Sequence, residues 1–246
     1  MPKIVFEVCA NSLSSALAAR DGGAHRIELC SSLNSGGLTP SAGTIKSVLS
    51  LVDIPVFVLI RPRAGDFLYS RNEFNVMKED IKFAKNLGAA GVVFGILNPE
   101  AGIDVDRCSE LVCLAKPMQS TFHRAFDRVM DPNSALEDVI KTGAQRVLTS
   151  GLNEKAVKGK EFIRKLVEQA NGRIAIMAGR GINPQNVAEI VSDTGVKEIH
   201  ASCSASVYSK MIWLIRFSSF DLDYCHTVTN ACAVRKMLDV INKVDC

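Results

Sequence analysis

The sequence holds no CxxC or CxxH pair, the spacing at which a zinc finger clasps its ion. Its eight cysteines are scattered through 246 residues, a chain far too large to need disulfide staples, so a reducing compartment suits them better than a secreted one. No GxGxxG turn follows the first apolar run, which weighs against a dinucleotide-binding sheet. No apolar run approaches the roughly 20 residues that a bilayer span needs. The most apolar late run, MIWLIRF at 211–217, is interrupted by Arg216. The first residues, MPKIVFEV, lead straight into a short strand without the pattern of a cleavable leader. Charge of one sign is missing as well: 29 basic and 26 acidic residues are mixed along the chain for a net +3, which gives no electrostatic argument for nucleic acid. Neither a membrane nor a nucleic-acid partner is expected.

Short β-branched runs, by contrast, recur eight times: KIVFEVC (3–9), RIELC (26–30), PVFVLIRP (55–62), GVVFGIL (91–97), MQSTFHRA (118–125), RVLTSG (146–151), RIAIMAG (173–179) and KEIHAS (197–202). Between them lie segments with apolar residues at helical spacing, such as EDIKFAKNLG and ALEDVIKTG, and CAVRKMLDVINKV follows the last run. Thr39-Pro40, Asp131-Pro132 and Asn183-Pro184 read as helix starts, because proline tolerates the first helical position. GGAHRI, LGAAGV, TGAQRV and TGVKEI each place a glycine where one helix ends before the next strand. Eight βα units without a break in composition predict one (β/α)₈ TIM-like barrel over residues 1–246, with an atypical loop at about 203–228 before the final helix. An open doubly wound sheet is the alternative, since strand order is not readable from one sequence.

Barrel strands are nearly all apolar, so polar residues toward their C-terminal ends carry the information. These are Glu7 and Cys9 on the first strand, Glu28 and Cys30 on the second, Arg61 and Arg63 after the third, His123, Arg124 and Asp127 after the fifth, Ser150 after the sixth, and His200 and Ser202 on the eighth. Residues two apart share a strand face. If the two Glu-x-Cys phrases stand at equal heights, Cys9 and Cys30 approach each other across neighbouring strands. Two thiolates suit a soft ion, Cu(I) above others; core packing is the competing reading, because buried cysteine behaves as a small hydrophobe. Two inward glutamates repel unless cations compensate, and Arg61, Arg63 and Arg124 are the candidates, with a plain ion-pair layer as the alternative. RPR is expected to send both guanidinium groups to one rim, and the loop through Asp66 to fold over the mouth or to lie solvated. The small-residue loops LTSG (148–151) and AGRGIN (178–183) suit an anion held by backbone N–H groups.

The phrases ELC with GGLTPS (28–30 and 36–41), RPRAGDFLYS (61–70), GVVFGIL (91–97), TFHRAFD (121–127), RVLTSG (146–151) and EIHAS (198–202) together resemble the CutC copper homeostasis family. The resemblance runs from residue 3 to about 202. It implies a TIM-like barrel, a homo-oligomer, a cytoplasmic location with the nucleus as a second compartment, and Cu(I) bound through cysteine; Cys9 and Cys30 fit that role by position. The family's shared polar positions map onto Glu7, Glu28, Arg61, Arg63, Asp66, His123, Arg124, Asp127, His200 and Ser202. The sequence departs from the family at Arg180, where a smaller residue usually stands between the two glycines, and after Ser202.

Two functions follow. One is a copper homeostasis protein with Cys9 and Cys30 as its metal ligands. The other is an enzyme acting on a small anionic or carbonyl substrate, with Glu7 or Glu28 and His123 as acid and base. Arg61, Arg63, Asp66, Arg124, Asp127, Ser150, His200 and Ser202 would then contact the substrate.

Overall fold

The computed structural model describes residues 4–213 and 224–244. Eight parallel strands, β1 (Val5–Ala10), β2 (Arg26–Leu29), β3 (Val56–Leu59), β4 (Gly91–Phe94), β5 (Gln119–Phe122), β6 (Arg146–Thr149), β7 (Ala175–Gly179) and β8 (Glu198–Ala201), pair in chain order and close on themselves. Every β-branched run anticipated above is one of these strands, and closure removes the open-sheet alternative. Helices α1 (Leu13–Asp21), α2 (Ala42–Leu51), α3 (Arg71–Asn86), α4 (Val105–Ala115), α5 (Pro132–Thr142), α6 (Lys160–Ala170), α7 (Val187–Thr194) and α8 (Ala231–Val244) follow the strands in turn.

Each helix is set by local chemistry. Ser70 begins α3 with a capping box, its side chain accepting from the Glu73 N–H while the Glu73 carboxylate accepts from the Ser70 N–H. Phe74, Met77, Ile81 and Ala84 then recur at three and four residues and bury one stripe. Asp131 caps α5 with Pro132 in its first turn, as the sequence suggests, and Gly143 ends it in the left-handed conformation that glycine adopts without strain. The other two proline pairs sit just ahead of their helices instead. Ser41 caps α2 while the Thr39 hydroxyl accepts from the Arg61 N–H, and Asn183-Pro184 forms a turn before α7. A hairpin of β9 (Ser204–Tyr208) and β10 (Cys225–Thr229) occupies the described ends of the segment at 203–228; its centre, 214–223, lies outside the described residues.

Apolar residues on the outer strand face, among them Phe6, Val8, Ile27, Leu29 and Val58, pack with the helices into one core. The inner face is divided. Cys9, Cys30, Phe57, Leu59 and Val93 form a second apolar cluster, and below it lies a buried ionic network. Arg26 pairs with both Glu7 and Glu198, and Arg146 Nε lies 3.0 Å from Glu198 Oε2. Both guanidinium groups stack on the Phe57 ring, 4.9 and 5.0 Å from its centroid. Gly91 makes room for that ring, since a Cβ there would stand 2.5 Å from it. The sequence reading missed Arg26, Arg146 and Glu198 because they sit toward strand starts, away from the mouth.

Removing one member of a buried ion pair leaves an uncompensated charge and costs about 3–5 kcal/mol. Glu198→Ala strips Arg146 of its carboxylate and Arg26 of one of two. Urea unfolding is expected to show a loss of that size; a loss under about 1 kcal/mol would mean that the network is not stabilising by this route.

Candidate functional site

A cavity of about 530 Å³ opens at the C-terminal ends of the strands, the end at which barrels of this kind assemble sites from loops. Cys9, Glu28 and His200 stand on its inner wall, and Arg124, Asp127, Ser150, Arg180 and Ser202 come from the loops after β5, β6, β7 and β8.

The two Glu-x-Cys phrases do not stand at equal heights. The β1–β2 register sets Glu7 opposite Arg26 and Cys9 opposite Glu28, so the second phrase is displaced by two residues toward the C-terminal ends of the strands. The displacement is the stagger that a closed, tilted barrel imposes on neighbouring strands. The sulfurs meet nonetheless: Cys9 Sγ lies 3.6 Å from Cys30 Sγ, and also 3.6 Å from Glu28 Oε1. Gly37 makes this compact, because a Cβ there would stand 2.6 Å from Leu59 and 3.6 Å from the Cys30 Cβ. The loop can therefore lie directly over Cys30, which is fully buried. Ligand atoms of Cys9, Glu28 and His200 all fall within 4.8 Å of one another, a group able to hold a metal ion.

The same dipeptide pattern yields two different carboxyls. Burial works against the charge of Glu7, but Arg26 and His200 outweigh it and hold the group down at about 2. Glu7 is wholly enclosed, is absent from the cavity wall, and accepts from His200 Nδ1 at 2.8 Å. That bond leaves the other ring nitrogen, Nε2, free for the cavity. Burial pushes the Glu28 carboxyl up against the opposing pull of His200, with Glu7 adding to the rise, and its Oε2 has no hydrogen-bond partner. Hydrogen bonding to Cys30, burial and the nearby Glu28 all raise Cys9 well above the ordinary thiol range. His200 is raised by Glu28 and Glu7 despite its burial.

His123 lines the cavity with 3% exposure. Its Nδ1 accepts from the Ala125 N–H at 3.3 Å, which places the ring proton on Nε2, and Nε2 has no partner. Burial, then Arg124 and Arg61, push the imidazole down to about 3, so it is neutral near neutral pH. Asp127 faces the cavity as well, but its oxygens accept from Ser150 N and Oγ, Thr149 Oγ1 and the Leu152 N–H, and so organise the loop after β6.

The arginines of RPR diverge. Arg61 is buried behind the wall, donating to the Ser35, Gly37 and Gly65 carbonyls at 3.0, 2.7 and 2.8 Å. It therefore ties two loops together and does not face Glu7 or Glu28. Arg63 turns outward to Asp66, Glu73 and the Leu68 carbonyl, and neither it nor Asp66 reaches the cavity. The chain bends at 63–65, which breaks the extended geometry under which residues two apart share a face. The loop that carries them packs inward through Phe67, whose ring centroid is 4.9 Å from that of His123.

The site is thus a one-ended barrel mouth with thiol, carboxyl and imidazole groups on its inner wall and guanidinium groups at its rim. Comparison with known proteins names the family. The CutC family model matches residues 4–205, and the chain belongs to that family. It is 49% identical over 207 residues to a human copper homeostasis protein cutC homolog, covering 84% of this chain and 76% of that one. A family protein CutC of Vibrio vulnificus (strain YJ016) is 44% identical over 244 residues, with 97% and 98% covered. The crystal structure of a CutC protein from Streptococcus agalactiae superposes with a TM-score of 0.77 at 35% identity, covering 81% of this chain and 98% of that one.

The buried neutral His123 sets a pH dependence. An unfolded chain takes up a proton near 6.5, whereas the folded chain takes it only near 3. The stability that this one group contributes is therefore whole above about pH 6.5 and falls by roughly 1.4 kcal/mol per pH unit below it. Urea midpoints measured from about pH 7 to about pH 5 are expected to show this slope and to lose it in His123→Gln; an unchanged slope in the variant would reassign it to other groups.

Proposed function

We propose that this chain is a copper homeostasis protein that holds Cu(I) through Cys9 and Cys30 at the floor of the barrel mouth. The observation that carries the reading is the 3.6 Å separation of two sulfurs on adjacent strands. One ion can touch both, since metal–thiolate bonds run to about 2.3 Å, and two in line would span about 4.6 Å. The shorter separation favours a bent arrangement with a further donor. Glu28 and His200 stand beside Cys9 for that purpose, and His200 carries on its far side the carboxylate partner that ligating histidines commonly have. Thiols favour copper's soft monovalent state over hard ions, and the human relative bears the copper homeostasis name.

Both cysteines must lose their protons to bind. Cys9 donates toward Glu28 Oε1, which gives its proton a local acceptor. Affinity therefore rises with pH, because protons compete with the ion for the sulfurs. The described cysteines are all free, which supports a reducing cytoplasm or nucleus as the compartment. A homo-oligomer belongs to the same reading: Met211, Ile212 and Trp213 beside the hairpin are exposed, and an apolar run of that kind suits a second copy. Sedimentation as a monomer at micromolar concentration would remove that part alone.

The catalytic alternative keeps only Glu28 and His123, since Glu7 is sealed between Arg26 and His200. It is favoured by one observation, a buried carboxyl raised by burial with an unpartnered oxygen beside the cavity.

Anaerobic Cu(I) titration against a competing chelator is expected to give saturable binding that tightens as pH rises. Cys9→Ser and Cys30→Ser should each lose at least about a hundredfold, near 2.7 kcal/mol, and Glu28→Gln less. Unchanged affinity in the double cysteine variant would overturn the reading.

A further inference from the structure

The cavity rim carries positive charge that two-thiol copper binding does not use. Arg124 and Arg180 both line it. Among the described residues neither forms an ion pair, and the hydrogen bond that Arg124 makes, from Nε to the Gly36 carbonyl, is long at 3.4 Å. Arg61 lies behind them, its guanidinium spent on three carbonyls and facing no carboxylate. These groups are close enough to oppose one another: burial, then Arg61, Arg180 and Arg128, weaken the charged form of Arg124. The carboxylates on the same walls do not answer them. Asp127 is engaged by the loop after β6, and Glu28 sits at the floor against Cys9.

Two further features belong to residues that line the same space. His123 Nε2 is a buried donor on the cavity wall with no partner, an arrangement that native structures rarely leave unmatched. Arg180 has φ +78°, in the left-handed region that a side chain rarely adopts, between Gly179 and Gly181. Backbone of this kind tends to be held at ligand sites, where the surroundings enforce it.

We propose that the rim binds the oxyanion end of a small molecule, a phosphoryl or carboxylate group, between the guanidinium groups of Arg124 and Arg180 with His123 donating from the wall. Planar guanidinium forks suit such groups. A neutral histidine N–H serves as a donor without adding a further charge. The cavity, at about 530 Å³, is of the size that encloses a small organic ligand and exceeds the needs of a lone ion. The far end of that molecule would lie toward Cys9 and Glu28.

The site is separable from copper. The full-length Cys9→Ser/Cys30→Ser variant, metal-free, is titrated calorimetrically with inorganic phosphate, glycerol 3-phosphate and malonate. Saturable binding of at least one probe is expected, weakened tenfold or more by Arg180→Gln and by Arg124→Gln. Arg180 is exposed, so its variant should fold even if Arg124→Gln does not. Arg63→Gln, which removes the same charge outside the cavity, should leave the affinity unchanged. Preference for the phosphates assigns a phosphoryl ligand, and preference for malonate a carboxylate; either supports the site. No saturable binding by any probe up to about 10 mM, or an equal loss in Arg63→Gln and Arg180→Gln, overturns the proposal, whatever the copper titration shows.

Discussion

The ion network of Glu7, Arg26, Glu198 and Arg146 is the constraint on which the rest of the interior depends. Four charges buried inside a closed barrel persist only because each meets an opposite one, and their geometry decides what lies above them. Glu7, neutralised by Arg26 on one oxygen, offers the other to His200. That bond fixes one nitrogen of an imidazole that lines the cavity together with Cys9 and Glu28. The aromatic ring of Phe57, seated over Gly91, supports both guanidinium groups from the thiol side. The network thus seals the barrel from below, and the cavity opens at one end.

Above that seal, charge is sorted by depth. Cys9 and Glu28 occupy a layer without a guanidinium, where the Cys30 hydrogen bond and burial favour the protonated form of Cys9 and burial that of Glu28. Guanidinium groups collect at the rim and behind the wall, where Arg124 and His123 lose affinity for protons. On the proposed readings, the lower layer would serve a soft cation that displaces protons, and the upper one an anion. Two such ligands, of opposite charge, would then approach one cavity without competing for the same side chains.

Much of this was legible in the sequence, and the failures share a cause. The strand runs were readable because β-branched residues recur at the length of one βα unit, while the approach of Cys9 to Cys30 was expected only for equal heights and occurs although the register offsets the two phrases. Side-chain direction after a strand ends was not readable. Arg61 and Arg63 are two apart, yet the bend at 63–65 sends one inward to carbonyls and the other out to Glu73. The cations that answer Glu7 were hidden for a different reason: Arg26 and Arg146 stand at strand starts, where a polar residue reads as an ordinary boundary. RIELC did contain a signal, since Arg26 and Glu28 are two apart and so share the inner face.

The repeated Glu-x-Cys phrase shows how much a register decides. Read as sequence, Glu7 with Cys9 and Glu28 with Cys30 suggest a ring of two carboxylates beneath a ring of two thiols. Barrel stagger instead slides Cys9 opposite Glu28 and leaves Glu7 opposite Arg26. Identical residues then enter different layers. One glutamate becomes a charged brace for His200, held down at about 2, and the other is pushed up by burial beside a sulfur. Equal heights would have put two carboxyls together below two sulfurs, with mutual repulsion to relieve and no carboxyl beside the thiols. The offset instead sets Glu28 beside Cys9, where Glu7 still adds to the rise of its carboxyl. The chemistry of this mouth therefore depends on the closure of the barrel as much as on the residues that line it.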